Sequence, residues 1–226
     1  MKKIAKDVYH MSLVPRNGIN CYLIEDILID AGTKKSFNKI KSNLEGFPLS
    51  AHTLTHGHTD HQGSSKLICN HYNIPLCCSV KEKEVVESGF ATKEYPKQNH
   101  IITRLQQKYW AGEGHPVSKT LKEGDKIGGF TVIETPGNTS GHLSYFREKD
   151  GVLILGDVLV NMNLITTLVG LQIPPDFFAF DPIENLKSLR KVALLKPKII
   201  AFGHGPVLTD STKFDKLMQF VNEKYT

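Results

Sequence analysis

Three histidines and one aspartate lie within six consecutive residues of this chain, as His56, His58, Asp60 and His61. In an extended backbone, alternate side chains point the same way, so His56 and His58 can face one divalent cation together. Where the chain turns into a helix, Asp60 and His61 can offer a carboxylate oxygen and an imidazole nitrogen to a neighbouring cation. Packing gains little from so many titratable groups in one loop. The stretch therefore predicts a metal site.

Three later polar residues, His142, Asp157 and His204, each follow a predicted strand and have a glycine neighbour. Glycine permits close backbone approach and unusual dihedral angles, which a crowded metal pocket requires. Taken alone, each has an ordinary structural interpretation: a hydrogen-bonded histidine, or an aspartate that forms a turn or caps a helix. Together with the histidine-rich loop, they extend the predicted metal site.

The order of these motifs resembles the metallo-β-lactamase superfamily over nearly the whole chain. The resemblance rests on the HxHxDH loop at 56–61, the histidine after the Pro136-Gly137 turn, the aspartate after glycine, and the histidine in Gly-His-Gly. The segments 20–24 and 28–32 look like the first hairpin of that family. One departure is Asn138, where the family often has a histidine that is not normally a ligand, so the expected metal count is unchanged.

This resemblance implies an α/β (α+β) fold, a four-layer αββα sandwich of two packed mixed sheets with helices outside and the metals at one edge. It also implies which residues bind the cations. The first cation would be bound by His56, His58 and His142, the second by Asp60, His61 and His204, and Asp157 would bridge them. The same resemblance gives Asp60 a catalytic role, in which it orients the nucleophile and later shuttles a proton.

The chemistry expected of such a centre is hydrolysis. Two cations about 3.5 to 4 Å apart can share a water and lower its pKa to about 7, which supplies a bridging hydroxide at neutral pH. Five imidazoles and two carboxylates suit two Zn²⁺ ions, although iron and manganese tolerate the same ligands. We therefore expect a metal-dependent hydrolase of this superfamily.

Alternation and turn signals predict the elements that position these residues. Strands are predicted at 20–25, 27–31, 51–55, 74–78, 130–134, 152–155 and 199–202, and helices at 63–72, 80–88, 184–195 and 212–225. The segment 90–120 lacks a clear period and is expected to form a helix-containing excursion over the surface, where a substrate lid could sit. The apolar segment 158–180 is a second excursion that could cover a substrate. One domain spanning 1–226 is expected at this length.

Composition narrows the setting of the protein. Hydrophobic residues make up 40% and charged residues 23%, and no apolar run is long enough for a membrane span. Lys6 and Asp7 interrupt the start before a signal-peptide core can form, so a cytoplasmic location is expected. Cys21, Cys69, Cys77 and Cys78 lack CxxC spacing and are interpreted as reduced core residues. The net charge of +5 comes from scattered lysines, so nucleic acid is not an expected partner.

The substrate is less constrained than the metal site. Apolar residues at 158–169 and the cluster Phe177, Phe178 and Phe180 form either a pocket wall or a surface buried against the core or a second copy in a homodimer. Tyr109, Trp110 and His115 could also contact substrate or serve loop packing. These features favour a small-molecule ester, either a lactone or a thioester.

Several alternatives remain open at this stage. A phosphodiesterase or small nuclease uses similar centres, and a non-catalytic metal-binding protein would keep the same ligands. Hydrolysis of β-lactams is disfavoured, because the best-known zinc β-lactamases resemble each other in having cysteine at the position of Asp157. The 22 residues after His204 are fewer than the glutathione-binding domain of glyoxalase II enzymes needs.

Overall fold

The computed structural model describes residues 1–224, which form two large sheets and six α-helices. The first sheet has seven strands in chain order: β1 (Lys2–Ala5), β2 (Val8–Ser12), β3 (Asn20–Ile24), β4 (Ile27–Ile29), β5 (Ala51–Thr53), β6 (Leu76–Ser79) and β7 (Lys119–Leu121). Strands β1 to β4 pair antiparallel, and β4 to β7 pair parallel. The sheet is therefore mixed.

The second sheet is also mixed. The remaining strands are β8 (Lys126–Ile127), β9 (Phe130–Glu134), β10 (Leu143–Arg147), β11 (Val152–Gly156), β12 (Val160–Met162), β13 (Val169–Gln172) and β14 (Ile199–Phe202). Five of them form the sheet in the order β14-β11-β10-β9-β8, with only β11 and β14 parallel. Strands β12 and β13 form a separate hairpin. This hairpin lies within the second predicted excursion.

Helices cover the outer face of each sheet. The six α-helices are α1 (Phe37–Asn43), α2 (Ser65–Tyr72), α3 (Lys83–Ser88), α4 (Ile101–Tyr109), α5 (Pro182–Ala193) and α6 (Ser211–Lys224). Ile40 and Ile68, from α1 and α2, pack on the first sheet, whereas Leu189 and Phe214, from α5 and α6, pack on the second. The predicted four-layer αββα architecture is confirmed.

Strand β3 shows how alternation builds these layers. Cys21 and Leu23 face the helices of the first sheet, while Tyr22 and Ile24 face the second sheet. Successive side chains of a strand point to opposite faces, and both faces of this strand are covered. A nearly continuous apolar run is the consequence. All four cysteines are buried, as predicted.

The sequence predicted most central strands and helices to within about three residues, which is the usual uncertainty at element ends. Helix α3 ends at Gly89, whose φ of 72° matches the predicted stop. Seven strands, β1, β2, β7, β8, β10, β12 and β13, and helix α1 were not predicted. The last predicted helix included Tyr225, which lies outside the described residues.

Part of the excursion at 158–180 is buried against the core and part of it forms a pocket wall, so each of the two interpretations from the sequence holds for some of its residues. Val160 and Met162 are buried in the fold, whereas Ile165, Phe177 and Phe178 line a cavity. In the other excursion, Trp110 lines the same cavity. Within residues 1–224, no helix combines the length and apolar character needed to cross a membrane.

Candidate metal centre

The predicted ligand loops meet at one edge of the sandwich, where hydrogen bonds join the two sheets. The Tyr145 hydroxyl, from the second sheet, donates to the Leu54 carbonyl at 2.6 Å. In return, the Tyr22 hydroxyl of the first sheet donates to the Phe202 carbonyl at 2.6 Å. The Leu143 amide also donates to the Thr55 carbonyl at 2.8 Å. Because these bonds lie beside His56, His142 and His204, they fix the loops relative to each other.

Two glycines at this edge allow the close approach that the sequence predicted. A Cβ atom on Gly203 would lie 2.0 Å from Asp157 Oδ1, closer than any real contact. Gly156 has a φ of +63°, and a Cβ there would lie 2.6 Å from His142 Nε2. Any side chain at either position would displace the polar groups of the site.

Two groups of possible ligand atoms form within the described chain. One group is His56, His61 and Asp157, and the other is Asp60, His61 and His204, each with its ligand atoms within 4.8 Å of one another. Asp157 Oδ2 lies 3.1 Å from His204 Nε2 and 3.5 Å from His61 Nε2. His204 Nε2 lies 3.4 Å from Asp60 Oδ2. The shared oxygen of Asp157 is thus central to the cluster.

His58 and His142 adjoin this cluster without joining either tight group. Their ring centroids lie 4.5 and 4.9 Å from that of His56. The His142 Nε2 atom accepts a hydrogen bond from the Asp157 amide at 3.0 Å. The structure therefore brings all the predicted ligands to one place, but its tight groups share His61 and differ from the expected partition. The assignment of ligands to individual cations stays a prediction.

The chemistry of the possible ligand atoms fits a divalent cation. Four buried ligand atoms of the site have no hydrogen-bond partner: the Nε2 atoms of His56, His58 and His61, and Asp157 Oδ1. A buried polar atom without a partner costs about 1–3 kcal/mol, and natural proteins rarely leave several together. Imidazole nitrogen and carboxylate oxygen are ligands of zinc and of other first-row metals. Metal binding would satisfy this group of atoms.

The Nδ1 atoms of His56, His61 and His204 are held by the protein. His61 Nδ1 donates to Asp30 Oδ2 at 2.9 Å. His56 Nδ1 lies 3.0 Å from the Thr55 hydroxyl, which donates to the same Asp30 oxygen at 2.8 Å. His204 Nδ1 donates to the Gly18 carbonyl at 2.5 Å. Holding Nδ1 fixes the tautomer and turns Nε2 towards a cation, as is usual for metal ligands.

His142 is oriented by a separate chain of hydroxyl groups. Its Nδ1 lies 2.8 Å from Thr135 Oγ1, which lies 2.9 Å from Ser144 Oγ. The Ser144 hydroxyl donates to the Leu155 carbonyl at 3.0 Å. This series of hydrogen bonds therefore ends at a backbone carbonyl, and none of its buried N–H or O–H groups is left without an acceptor.

The electrostatics divide the histidines into two sets. Burial, followed by the neighbouring His61, lowers the pKa of His58 to about 3, and burial lowers the pKa of His142 to about 4. Burial alone would also lower the pKa of His204, but the Asp157 carboxylate outweighs it and raises this pKa to about 9. Asp157 and Asp30 likewise hold the pKa of His61 well above its usual value against the effect of burial.

Two carboxylates that organise the site were not predicted. Asp30 accepts from Thr55 and His61 and has a φ of 62°, a left-handed conformation that aspartate tolerates. A signal existed, since Asp30 ends an apolar strand just as Asp157 does. Glu82 is fully buried and accepts from Thr139 and from the Gly57 and Gly141 amides at 3.0 and 3.2 Å. Glu82 lies among other charged residues in the sequence, so no sequence signal indicated that it would be buried.

Comparison with known proteins agrees with this geometry. Residues 14–204 match the Metallo-beta-lactamase superfamily. The chain is 28% identical over 218 residues to the probable metallo-hydrolase YflN of Bacillus subtilis, covering 87% of this chain and 81% of that protein. It is 27% identical over 202 residues to the hydroxyacylglutathione hydrolase GloC of Haemophilus influenzae, covering 84% of this chain and 87% of that protein.

A solved structure extends the comparison to the fold. The crystal structure of TTHA1623 in a di-iron-bound form superposes with a TM-score of 0.69 at 25% identity, covering 89% of this chain and 94% of that one. This chain belongs to the metallo-β-lactamase superfamily and is a metallo-hydrolase of that superfamily. The resemblance noted in the sequence is confirmed.

Proposed function

We propose that the protein is a dinuclear-metal-dependent hydrolase of a small ester-type substrate, either a lactone or a thioester. The observation that carries the proposal is the set of buried ligand atoms on His56, His58, His61 and Asp157 that have no hydrogen-bond partner. They lie beside an apolar cavity lined by His58, Asp60, Asp157 and His204. A substrate in this cavity would place its scissile bond next to these metal-binding atoms, while its apolar part contacts the cavity wall.

The cations would be held by His56, His58 and His142 and by Asp60, His61 and His204, with Asp157 between them. Bound there, they would supply an acidified water and polarise the carbonyl oxygen of the substrate. Zn²⁺ fits these ligands, and iron, which TTHA1623 holds, fits them too. Metal analysis of the protein purified without added metal distinguishes these ions.

The chain itself contributes orientation and proton transfer. Asp60 lines the cavity, and its carboxylate lies 3.4 Å from His204 Nε2, so it can accept a proton from the attacking water and pass it to the leaving group. Burial, together with the nearby Asp60, holds the pKa of Tyr95 well above its usual value, so its phenol stays protonated beside the site. The aromatic ring of Tyr95 contacts His58 edge-on, with centroids 4.6 Å apart, and helps to hold that imidazole in place.

The test combines metal content with substrate comparison. The protein with two Zn²⁺ bound is expected to hydrolyse a δ-lactone or a simple thioester faster than bis-p-nitrophenyl phosphate. Asp60→Asn is expected to remove turnover while the circular dichroism spectrum and thermal unfolding of the metal-free protein stay unchanged, and Asp215→Asn, an exposed change on α6, is the control. An active Asp60→Asn enzyme would contradict the role of Asp60. Preference for the phosphodiester would favour the alternative class of phosphodiesterases.

A cytoplasmic location, a single domain over 1–226 and a homodimer remain predictions from the sequence. Size-exclusion chromatography with light scattering tests the homodimer directly.

A further inference from the structure

The cavity beside the metal centre is lined on its outer side by apolar side chains from both excursions. Its volume is about 330 Å³, within the lower range of small-molecule sites. Trp110 and Ile102 contribute to the wall from the first excursion, and Ile165, Phe177 and Phe178 contribute from the second. A ligand that reaches the metal centre must therefore place its remaining atoms against hydrocarbon.

The charged side chains that line this cavity belong to the metal centre. Among the described residues that line it, Asp60 and Asp157 are the only carboxylates, and none is lysine or arginine. A carboxylate or phosphate remote from the cations would lose part of its hydration without meeting a positive partner among these side chains, which is unfavourable. The wall thus selects against an anionic ligand.

Two neutral amides in the lining have an unused acceptor. Asn138 is 1% exposed, and its Oδ1 has no hydrogen-bond partner. The buried Oε1 of Gln106, on α4, also has none. Both residues line the cavity. Because a buried carbonyl oxygen without a partner is unfavourable, these two atoms fit a ligand that brings an N–H or O–H donor.

We infer that the substrate is an uncharged thioester or ester that carries an apolar acyl chain and an N–H or O–H donor, the donor pairing with Asn138 or Gln106. This inference rests on the proposed ester hydrolysis and narrows its substrate. Water adds across the acyl bond, so that the C–S or C–O bond breaks and a carboxylate, a thiol or alcohol and one proton leave.

The first experiment compares three thioesters with the Zn²⁺-loaded enzyme. Octanoyl-N-acetylcysteamine is neutral and has an amide N–H, acetyl-N-acetylcysteamine lacks the chain, and S-octanoylglutathione has the same chain with an anionic leaving group. We expect kcat/KM for the first to exceed each of the others by on the order of tenfold. Equal or better turnover of S-octanoylglutathione or of the acetyl thioester would overturn the inference while leaving ester hydrolysis intact.

A matched pair of variants tests the wall itself. Ile165 lines the cavity and is 89% exposed, whereas Leu168, three residues along the same turn, is 67% exposed and is not among the lining residues. Ile165→Lys should shift the preference between octanoyl-N-acetylcysteamine and S-octanoylglutathione towards the anion by about tenfold. Leu168→Lys should leave the preference unchanged. An equal shift in both variants would mean that the general surface charge, not the wall, sets the preference.

Binding without turnover gives an independent measurement. Trp110 is the only tryptophan of the chain, so its fluorescence reports ligands in this cavity. N-octylacetamide and 2-undecanone have the same length but differ in the N–H donor. Gln106→Met should reduce the affinity for N-octylacetamide relative to 2-undecanone by about fivefold to tenfold. An unchanged ratio in both Gln106→Met and Asn138→Ala would overturn the role of the amides. Binding of N-octylacetamide without hydrolysis of any thioester would support the ligand class and sink the proposed function.

Discussion

The buried histidines of this protein fall into two regions that differ in how their ring nitrogens are used. In the interior of the first sheet, His52 has both ring nitrogens within hydrogen-bond distance of protein oxygens, 3.1 Å from the Leu28 carbonyl and 2.8 Å from the Ser65 hydroxyl. At the metal centre, His56 and His61 have Nδ1 held by the protein while Nε2 has no hydrogen-bond partner. His52 is thus satisfied within the fold, whereas the Nε2 atoms of His56 and His61 are left for a cation.

This difference matters because burial alone does not separate the two kinds of histidine. His52 and His56 are both fully buried and lie four positions apart in the chain. Burial is the main cause that lowers the pKa of each, so both are neutral at pH 7. The partner of the second nitrogen is what distinguishes them, and the following predictions test this distinction from the largest expected effect to the smallest.

The strongest test exchanges one histidine of each kind for alanine. His56→Ala should lose at least one equivalent of bound metal and all detectable ester hydrolysis, because a ligand is removed. His52→Ala should keep both metals and lose about 1–3 kcal/mol of unfolding free energy, because two buried partners lose their hydrogen bonds. Metal analysis, turnover and urea denaturation of both variants provide the measurement. Full metal content in His56→Ala would refute the distinction.

The carboxylate behind the ligands should matter next. Asp30→Asn removes the charge that accepts from His61 and Thr55, so the affinity for Zn²⁺ should fall by about 10- to 100-fold. Competition with a chromophoric chelator measures this affinity. Asp26→Asn, in the turn of the same hairpin, is the matched control and should bind Zn²⁺ like the natural protein. If both variants bind equally, Asp30 does not orient the ligands.

Glu82 should have a smaller effect because it acts through the backbone of the ligand loops. Glu82→Ala leaves the Gly57 and Gly141 amides without their buried acceptor, and we expect metal affinity to fall by about tenfold as the loops loosen. Glu84→Ala, on the exposed side of α3, is the control. Glu82→Gln retains one acceptor oxygen and should restore part of the affinity. A loss of stability with unchanged metal affinity would limit Glu82 to a structural role.

The smallest effect is a pH dependence of stability. Burial lowers the pKa of His52 to about 4 in the folded chain, against 6.5 as its usual value. The unfolded chain therefore binds the extra proton first, and stability present above pH 6.5 is lost as the pH falls towards 4, by about 1 kcal/mol per pH unit. Denaturation of the natural protein and His52→Ala at pH 6 and pH 5 isolates this contribution. The variant should lose less stability between these pH values.

Much of the fold could be predicted because its central strands carry strong local signals. Runs such as 130–134 and 199–202 are apolar and end at turn residues, and the structure contains β9 and β14 with these bounds. Strand β10 was missed because Ser144 and Arg147 break the apolar pattern, although both are buried and hydrogen-bonded. Ser144 donates to the Leu155 carbonyl, and Arg147 donates to the Lys6 carbonyl in the turn between β1 and β2 as well as to the nearby Asp150, and no local apolar pattern reports such partners.

For the site, the sequence by itself determined which residue types were present and in what order. The HxHxDH loop and the glycine-flanked His142, Asp157 and His204 were enough to predict a metal centre, because their clustering has little value for packing. Only the tertiary structure decided which ring nitrogens have no hydrogen-bond partner and that Asp30 and Glu82 hold the ligand loops. It also decided that the cavity wall contains the amides of Asn138 and Gln106 but no lysine or arginine. These properties depend on distances between segments separated by tens of residues, and such distances exist only once the two sheets have packed.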